Sequence, residues 1–363
     1  MNTTLLIDGN WLLMSRLFAV KSYFNVQNDD QEKERGTTEL EDLMGRSINL
    51  IINKLDNVVD NIILVSDGGS WRKSVSKPSF FEEEYKGNRI KDAEIDWNYV
   101  YRSLENILES ANELGITVCK SGGIEGDDWI FHWSRRLNDL GTNCIIWSSD
   151  ADLKQLVQVK NGAFTAWLNE SQKGGAPGLI LHKDLDNTPA DDLDMFMQID
   201  YSSRNLDELT SRVNFVTYIN PDDIVEDKII CGDKGDNIKS VVLLEKNNRT
   251  YRVSEKDWQN LKEELGIKCL DEFFSNKETI CNKLTSNKKY SGYNIDYIRE
   301  MFDYNIKLVW LNEKTIPQEI QDTMNEVEYH KYDLSYIKSN YKMLCKSQGQ
   351  TQTIEDIFNI IPF

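Results

Sequence analysis

Four short apolar runs punctuate the first half of the chain: TTLLID (3–8), NIILVSD (61–67), GITVCK (115–120) and NCIIWSSD (143–150). Each is continuous rather than alternating, as expected of strands buried on both faces. Between them, residues 39–55, 97–114 and 126–140 carry apolar positions at helical spacing. Strands alternating with helical crossovers predict βαβ units, hence an α/β fold with a parallel sheet flanked by helices. In such sheets ligands sit beyond the carboxyl ends of the strands.

Residues 70–96 break the pattern, being polar, mixed in charge and long for a plain connection, which points to a functional loop. After residue 168 the signal weakens. Residues 171–178, SQKGGAPG, predict a turn, and the acid-rich stretch 184–209 predicts a surface insertion. From 211 to 345 helical spacing dominates. The pattern therefore divides the chain into an α/β part, 1–210, a mostly helical part, 211–345, and a tail, 346–363.

Acids fall where this fold would place a site. Three of the four strand-like runs lead into aspartate: Asp8, Asp67 and Asp150, the last followed by Asp152. After the remaining run, Glu125, Asp127 and Asp128 open a helix with Ile130, Trp133 and Leu137 on its apolar face. A parallel sheet would bring all of them to one edge. A lone aspartate after a strand is usually a turn residue or helix cap, and Asp128 suits that role. Recurrence at every strand end points instead to a carboxylate cluster. Such a cluster needs cations, because neighbouring carboxylates raise one another's pKa. An all-oxygen set favours Mg²⁺ or Mn²⁺ over zinc. Two such ions about 3.5–4 Å apart form the clamp used for in-line attack on phosphodiesters.

A second constellation is EDKIICGDKGDNIKSVV (226–242): an apolar stretch, a glycine-rich turn with Asp233 and Asp236, then another apolar stretch. It predicts a helical hairpin whose turn, with Gly232, Lys234, Gly235 and Asn237, lets backbone amides approach a phosphate. The alternative is a plain helical turn with solvated aspartates.

Composition limits the other readings. Sixty acids against 42 bases, a net charge of −18, argue against a general polyanion binder. Acids gathered for metal count in that total, however, and residues 71–91 hold six bases against three acids. The three histidines, His132, His182 and His330, form no motif, which disfavours histidine-based metal or triad chemistry. Six unpaired-looking cysteines, no basic leader and no run of eighteen apolar residues predict a reduced cytoplasmic protein that is neither secreted nor membrane-spanning.

The order DGN, SDGG, EGDD, SSDADLKQL and GDKGDN resembles the flap endonuclease and 5′-nuclease superfamily, most nearly its T-even-phage RNase H group of 5′→3′ exonucleases and flap endonucleases. The likeness spans roughly residues 3–160 and 211–245. It implies a flexible arch over the active site, at about 70–96, and a helix–three-turn–helix DNA-binding element around 226–242. It further implies that Asp8, Asp67, Asp127 and Asp150, with Glu125 beside them, hold one metal. Asp152, Asp233 and Asp236 would serve the second, with Asp128 in the outer shell. In the arch, WRK and YKGNR match basic positions of the family. Arg72, Tyr85, Lys86 and Arg89 thereby become candidates for gripping the scissile phosphate and stacking on a terminal base, with Lys86 and Arg72 nearest the chemistry. The implied activity is removal of RNA primers and 5′ flaps from DNA and RNA–DNA duplexes in replication, in the host cytoplasm if the chain is phage-encoded. The family turn continues Ile-Pro-Gly-Val, whereas this chain has Lys239 and Ser240 in place of Pro and Gly.

The chain ends QTQTIEDIFNIIPF, with Ile354, Ile357, Phe358, Ile360 and Phe363 as apolar anchors. Two readings stand: a docking peptide for a sliding clamp, as in phage replication proteins that also meet single-strand-binding protein, or a segment packed on its own domain. Two other functions also stand. A PIN-type single-strand ribonuclease would share the acidic sheet but lack the GDKGDN element; a non-enzymatic DNA-junction binder would need no complete acid set.

Overall fold

The computed structural model describes residues 2–169, 178–185, 200–246, 249–290 and 294–346. The tail anchors Ile354, Ile357, Phe358, Ile360 and Phe363, the turn at 171–177 and the 186–199 part of the acid-rich stretch lie outside the described residues. The described residues fold as two compact units: those within 1–69, 92–219 and 322–346 form the first, those within 70–91 and 220–321 the second. The expected division at residue 210 thus differs in three places. The 70–91 segment clusters with the helical unit, while residues 211–219 and 322–346 cluster with the sheet.

In the first unit all four apolar runs are strands: β1 (Thr3–Asp8), β2 (Asn61–Val65), β3 (Thr117–Cys119) and β4 (Asn143–Trp147). β1, β2 and β4 are buried along their whole length, which is why their sequences are continuous rather than alternating. Helices α1 (Gly9–Val20), α2 (Asp30–Lys54), α3 (Trp97–Glu113) and α4 (Gly126–Asp139) connect them. α1, α2 and α3 start on an aspartate cap: Asp8, Asp29 and Asp96 accept backbone N–H bonds of the first turn.

The sheet continues through β5 (Gln158–Lys160), β6 (Ala163–Asn169), β7 (Gly178–His182) and β8 (Phe215–Ile219), in the order β3-β2-β1-β4-β6-β7-β8 with β5 against β6. The five strands from β3 to β6 run parallel, whereas β6 pairs with β7 and with β5 antiparallel. The sheet is therefore mixed and mostly parallel. The acid-rich stretch is not wholly irregular, since Asp200–Ser211 forms helix α5. Residues 322–346 return to this unit: Leu334, Ile337, Leu344 and Cys345 join its core, and Asn61 Nδ2 donates to the His330 carbonyl at 2.8 Å.

The second unit has its own core, built around α6 (Pro221–Cys231), α7 (Glu255–Leu265), α8 (Leu270–Ser275), α9 (Lys277–Ser286) and α10 (Ile295–Val309). The expected helical hairpin over 226–242 is not formed. After the turn comes a strand pair, β9 (Leu243–Lys246) with β10 (Arg249–Arg252), and the next helix begins only at Glu255. The run Val241–Leu244 is apolar with two β-branched residues, which suits extended backbone better than helix.

Candidate functional site

The register of the sheet levels the strand ends. Asp8 lies opposite Val65, Ile7 opposite Trp147, and Val65 opposite Cys119. Asp8 closes β1, Asp67 stands two residues past β2, and Asp150 three past β4, so all three leave the same edge. Gly9 lets β1 turn directly into α1: a Cβ there would meet the Val65 carbonyl oxygen at 2.7 Å.

Four of these carboxylates, those of Asp8, Asp67, Asp128 and Asp150, are held by short-range bonds. The Asp8 carboxylate accepts the Trp11 N–H at 2.9 Å and the Ser148 hydroxyl at 2.8 Å. Asp67 accepts the Gly126 N–H at 2.7 Å, placing it at the positive end of α4. Glu125 and Asp128 are buried, and Asp128 accepts the Glu125 N–H at 3.2 Å, the capping role its sequence position suggested. Asp127 stands beside them, half-buried in the first turn of α4. Asp150 accepts the Asp152 N–H at 2.9 Å. Burial, with Asp67 and Asp150 nearby, lifts the Asp8 carboxyl to about 6 against the hydrogen bonds that oppose it.

Two positioning residues gave no sequence signal of their own. Ser148, buried at the end of β4, donates to Asp8 while accepting the Asp150 N–H at 3.0 Å. Asn10 accepts from the Ser66 hydroxyl at 3.0 Å and the Asp67 N–H at 2.9 Å. The motifs DGN and SSD contained them, but only the paired geometry of β1, β2 and β4 reveals what they hold.

Among the described residues, no three His, Cys, Asp or Glu side chains close around a point as a finished metal box. The donor set itself fits a hard divalent cation: Asp8, Asp67, Glu125, Asp127, Asp150 and Asp152 offer oxygen alone.

In the second unit the GDKGDN turn follows α6. Gly232 has φ +76°, and a Cβ there would meet the Ile238 carbonyl oxygen at 2.5 Å. Asp233 and Ile238 exchange backbone bonds of 2.8 and 2.7 Å, leaving Lys234 and Gly235 exposed. Ser240, where the family has glycine, closes the turn: its hydroxyl donates to the Ile230 carbonyl at 2.8 Å and accepts the Val242 and Val253 N–H groups.

The two aspartates of this turn are met by bases. Lys228 pairs with Asp233, whose Oδ1 accepts the Gly235 N–H at 2.7 Å. Asp236 pairs with Arg89, lies 3.8 Å from Lys86 Nζ, and accepts the Tyr85 hydroxyl at 3.1 Å. The 70–96 segment itself has one 3₁₀ turn, Trp71–Ser74, and otherwise irregular backbone. Two expectations change here. The Tyr85 ring is buried in the second unit's core and so is not offered to a terminal base. Arg72 is also buried, its guanidinium over the Trp71 ring at 4.6 Å, rather than presented on a surface.

Residues 3–175 match the family described as 5′-3′ exonuclease, N-terminal resolvase-like domain. A 5′-3′ exonuclease of Mycoplasmopsis pulmonis (strain UAB CTIP) is 25% identical over 94% of this chain and 95% of its own. One from Buchnera aphidicola subsp. Schizaphis graminum is 29% identical over 42% of this chain and 48% of its own. Among solved structures, a T5 protein co-crystallised with metal ions matches at a TM-score of 0.54 and 16% identity, over 93% of this chain and 100% of that one. A bacteriophage T5 flap endonuclease variant, in a pseudo-enzyme–product complex with DNA and metal ions, gives 0.52 and 17% over the same shares. At these identities the structural likeness shows the fold. Among the described residues, no helix is long and apolar enough to cross a membrane.

Proposed function

We propose that the chain is a nuclease of the flap endonuclease and 5′-nuclease superfamily, which hydrolyses phosphodiesters at 5′ ends and 5′ flaps of duplexes and removes RNA primers and flaps during replication. One observation carries the reading: Asp8, Asp67 and Asp150 leave one sheet edge, where burial first, and these two neighbours after it, raise the Asp8 carboxyl to about 6. A buried acid held in that state invites divalent cations.

The ligands would be Asp8, Asp67, Glu125, Asp127 and Asp150 for one ion and Asp152 toward a second, with Asp128 behind them as the cap of α4. Mg²⁺ or Mn²⁺ bound there supplies an acidified water and charge stabilisation for the leaving oxygen. The protein's own groups do the rest. Ser148 and Asn10 fix the directions of Asp8, Asp150 and the Asp67 loop. Lys86 and Arg89 would trade the Asp236 carboxylate for a substrate phosphate, placing it for attack. The exposed turn at Lys234 and Gly235, between Gly232 and Asn237, would hold duplex backbone without reading sequence. The 5′→3′ polarity, the replication setting in a host cytoplasm and docking to a sliding clamp or single-strand-binding protein rest on the family resemblance.

The test uses a flap duplex labelled at its 5′ end, incubated with the protein in Mg²⁺, in Mn²⁺ and in EDTA. Cleavage at the 5′ end or near the junction, lost in EDTA and in Asp150→Asn, is expected. Binding without cleavage in either metal would overturn the enzyme reading in favour of a junction-binding protein.

A further inference from the structure

The loop 84–89 and the turn 233–238 are joined by an interlocking set of bonds that no single charge explains. The Lys86 N–H donates to the Asp236 carbonyl at 2.8 Å. The Asn88 side-chain amide donates to the Lys234 carbonyl at 2.9 Å. In the opposite direction the Asn237 amide donates to the Glu84 carbonyl at 3.0 Å. Two of these residues have left-handed backbone, Lys86 at φ +56° and Asn237 at φ +58°. Asparagine tolerates that conformation, but lysine adopts it at a cost that neighbouring contacts must offset. Within the loop, Gly87 N–H bonds to the Glu84 carbonyl at 2.9 Å and Arg89 N–H to the Lys86 carbonyl at 3.2 Å.

We infer that Asn88 is a positioning residue of the nuclease: with Asn237 it clasps the 84–89 loop onto the GDKGDN turn, so that the Lys86 and Arg89 side chains are presented from a fixed backbone. The inference rests on the proposed phosphate-binding role of Lys86 and Arg89. Its reason is geometric. Both bases are long side chains with many rotamers, and an unanchored loop would add backbone freedom to that entropy. Aligning a reacting phosphate rewards a base whose backbone is already held. Asn88 suits the task because its amide supplies a neutral donor to a carbonyl, so it adds order without adding charge. It is exposed, and its loss leaves no buried polar group behind.

The clasp makes a prediction that separates it from direct phosphate contact. Asn88→Ala keeps every charge, so DNA affinity in EDTA and its salt dependence should stay near wild type. The rate of the bound complex should fall about fivefold, the worth of one neutral hydrogen bond. Asn88→Asp sets a carboxylate against the Lys234 carbonyl and should fall further. A readout independent of activity is limited trypsin digestion of the free protein, following cleavage after Lys86 and Arg89 by mass spectrometry. Faster cutting there in both variants, with unchanged melting temperature, is the expected result. Cutting at the wild-type rate would overturn the clasp. Loss of DNA affinity in proportion to rate would instead make Asn88 a DNA contact and equally overturn it. Should the wild-type protein fail to cleave any flap, the enzyme reading falls, while the trypsin comparison still decides the clasp.

Discussion

The sheet edge and the basic loop hold charge in opposite ways. At the edge, aspartates leave neighbouring strands and bond to amides and a hydroxyl, and burial, with Asp67 and Asp150 adding to it, lifts the Asp8 carboxyl to about 6. In the loop, Asp236 is matched by Arg89, Lys86 and a tyrosine hydroxyl. The first arrangement gathers oxygen donors at one sheet edge, and in the proposed function it receives a divalent cation. In the second, the proposed function exchanges these partners for a phosphate. Removing a charge should therefore have opposite consequences in the two places: relief at the edge, loss in the loop.

The largest expected effect is on chemistry at the edge. Asp150→Asn should lower single-turnover cleavage by on the order of a thousandfold or more, about 4 kcal/mol of barrier, with flap binding in EDTA little changed. Asp127→Asn should match it. Retained turnover in both variants would remove the metal role from the edge and leave the two regions alike as ordinary structural carboxylates.

The second unit offers a buried contrast. Glu226, fully buried on α6, pairs with Lys262 of α7, which also bonds Asp223 at 2.6 Å; Glu226 Oε1 has no hydrogen-bond partner. Burial raises the Glu226 carboxyl to about 7, above its usual 4.5. A raised folded pKa means that this group's contribution is fully present below about 4.5 and is lost as pH rises through 7. Lys262 limits that loss. Lys262→Met should therefore destabilise by about 3 kcal/mol at pH 8, where a buried charge is left alone. At pH 6, with Glu226 largely protonated, the gap should be much smaller. Urea unfolding of both proteins at the two pH values checks it, and a gap independent of pH would sink the assignment.

At the edge the pH dependence has the same sign, but there the substitution removes the penalised charge itself and should stabilise. The upward shift of Asp8 corresponds to roughly 3 kcal/mol of unfavourable charging at neutral pH. Asn can keep the cap to Trp11 and share a bond with Ser148 but loses the stronger charged acceptor, so Asp8→Asn should gain about 1–2 kcal/mol in EDTA at pH 7.5. Since the folded pKa is raised, the penalty is absent below about 3.8 and grows as pH rises through 6, so the gain should vanish near pH 4. With saturating Mg²⁺ the wild type should recover and overtake the variant. Thermal melts across pH, with and without metal, measure all three.

How much of this was legible in sequence depended on distance along the chain. β1, β2 and β4 are buried on both faces, so their apolar runs stood out, and the acids follow each run within three residues. β8 (FVTYI) lies at the sheet's edge and is mostly exposed, so nothing in its composition separated it from the helical part. The bases that meet Asp236 come from residues about 150 positions earlier, a pairing no local pattern encodes. Tyr85 shows the same limit. Beside Lys86 in a polar stretch it read as an exposed ring for stacking, whereas the α6 side chains Ile229 and Ile230 share its core.

The smallest effect sharpens the comparison most finely. Arg89 is 57% exposed, and its ion pair with Asp236 should contribute less than about 1 kcal/mol to stability. Arg89→Ala should therefore leave urea unfolding nearly unchanged. If Arg89 exchanges Asp236 for a phosphate, the same variant should weaken flap binding at low salt and reduce the slope of log Kd against log salt concentration by about one. Asp236→Asn should do the converse, tightening binding at low salt because the phosphate no longer competes with a carboxylate. An Arg89→Ala variant that changed stability but not the salt slope would mean that the pair is purely structural. The loop would then resemble the Glu226–Lys262 pair, and the exchange of carboxylate for phosphate would have to be carried by Lys86 alone.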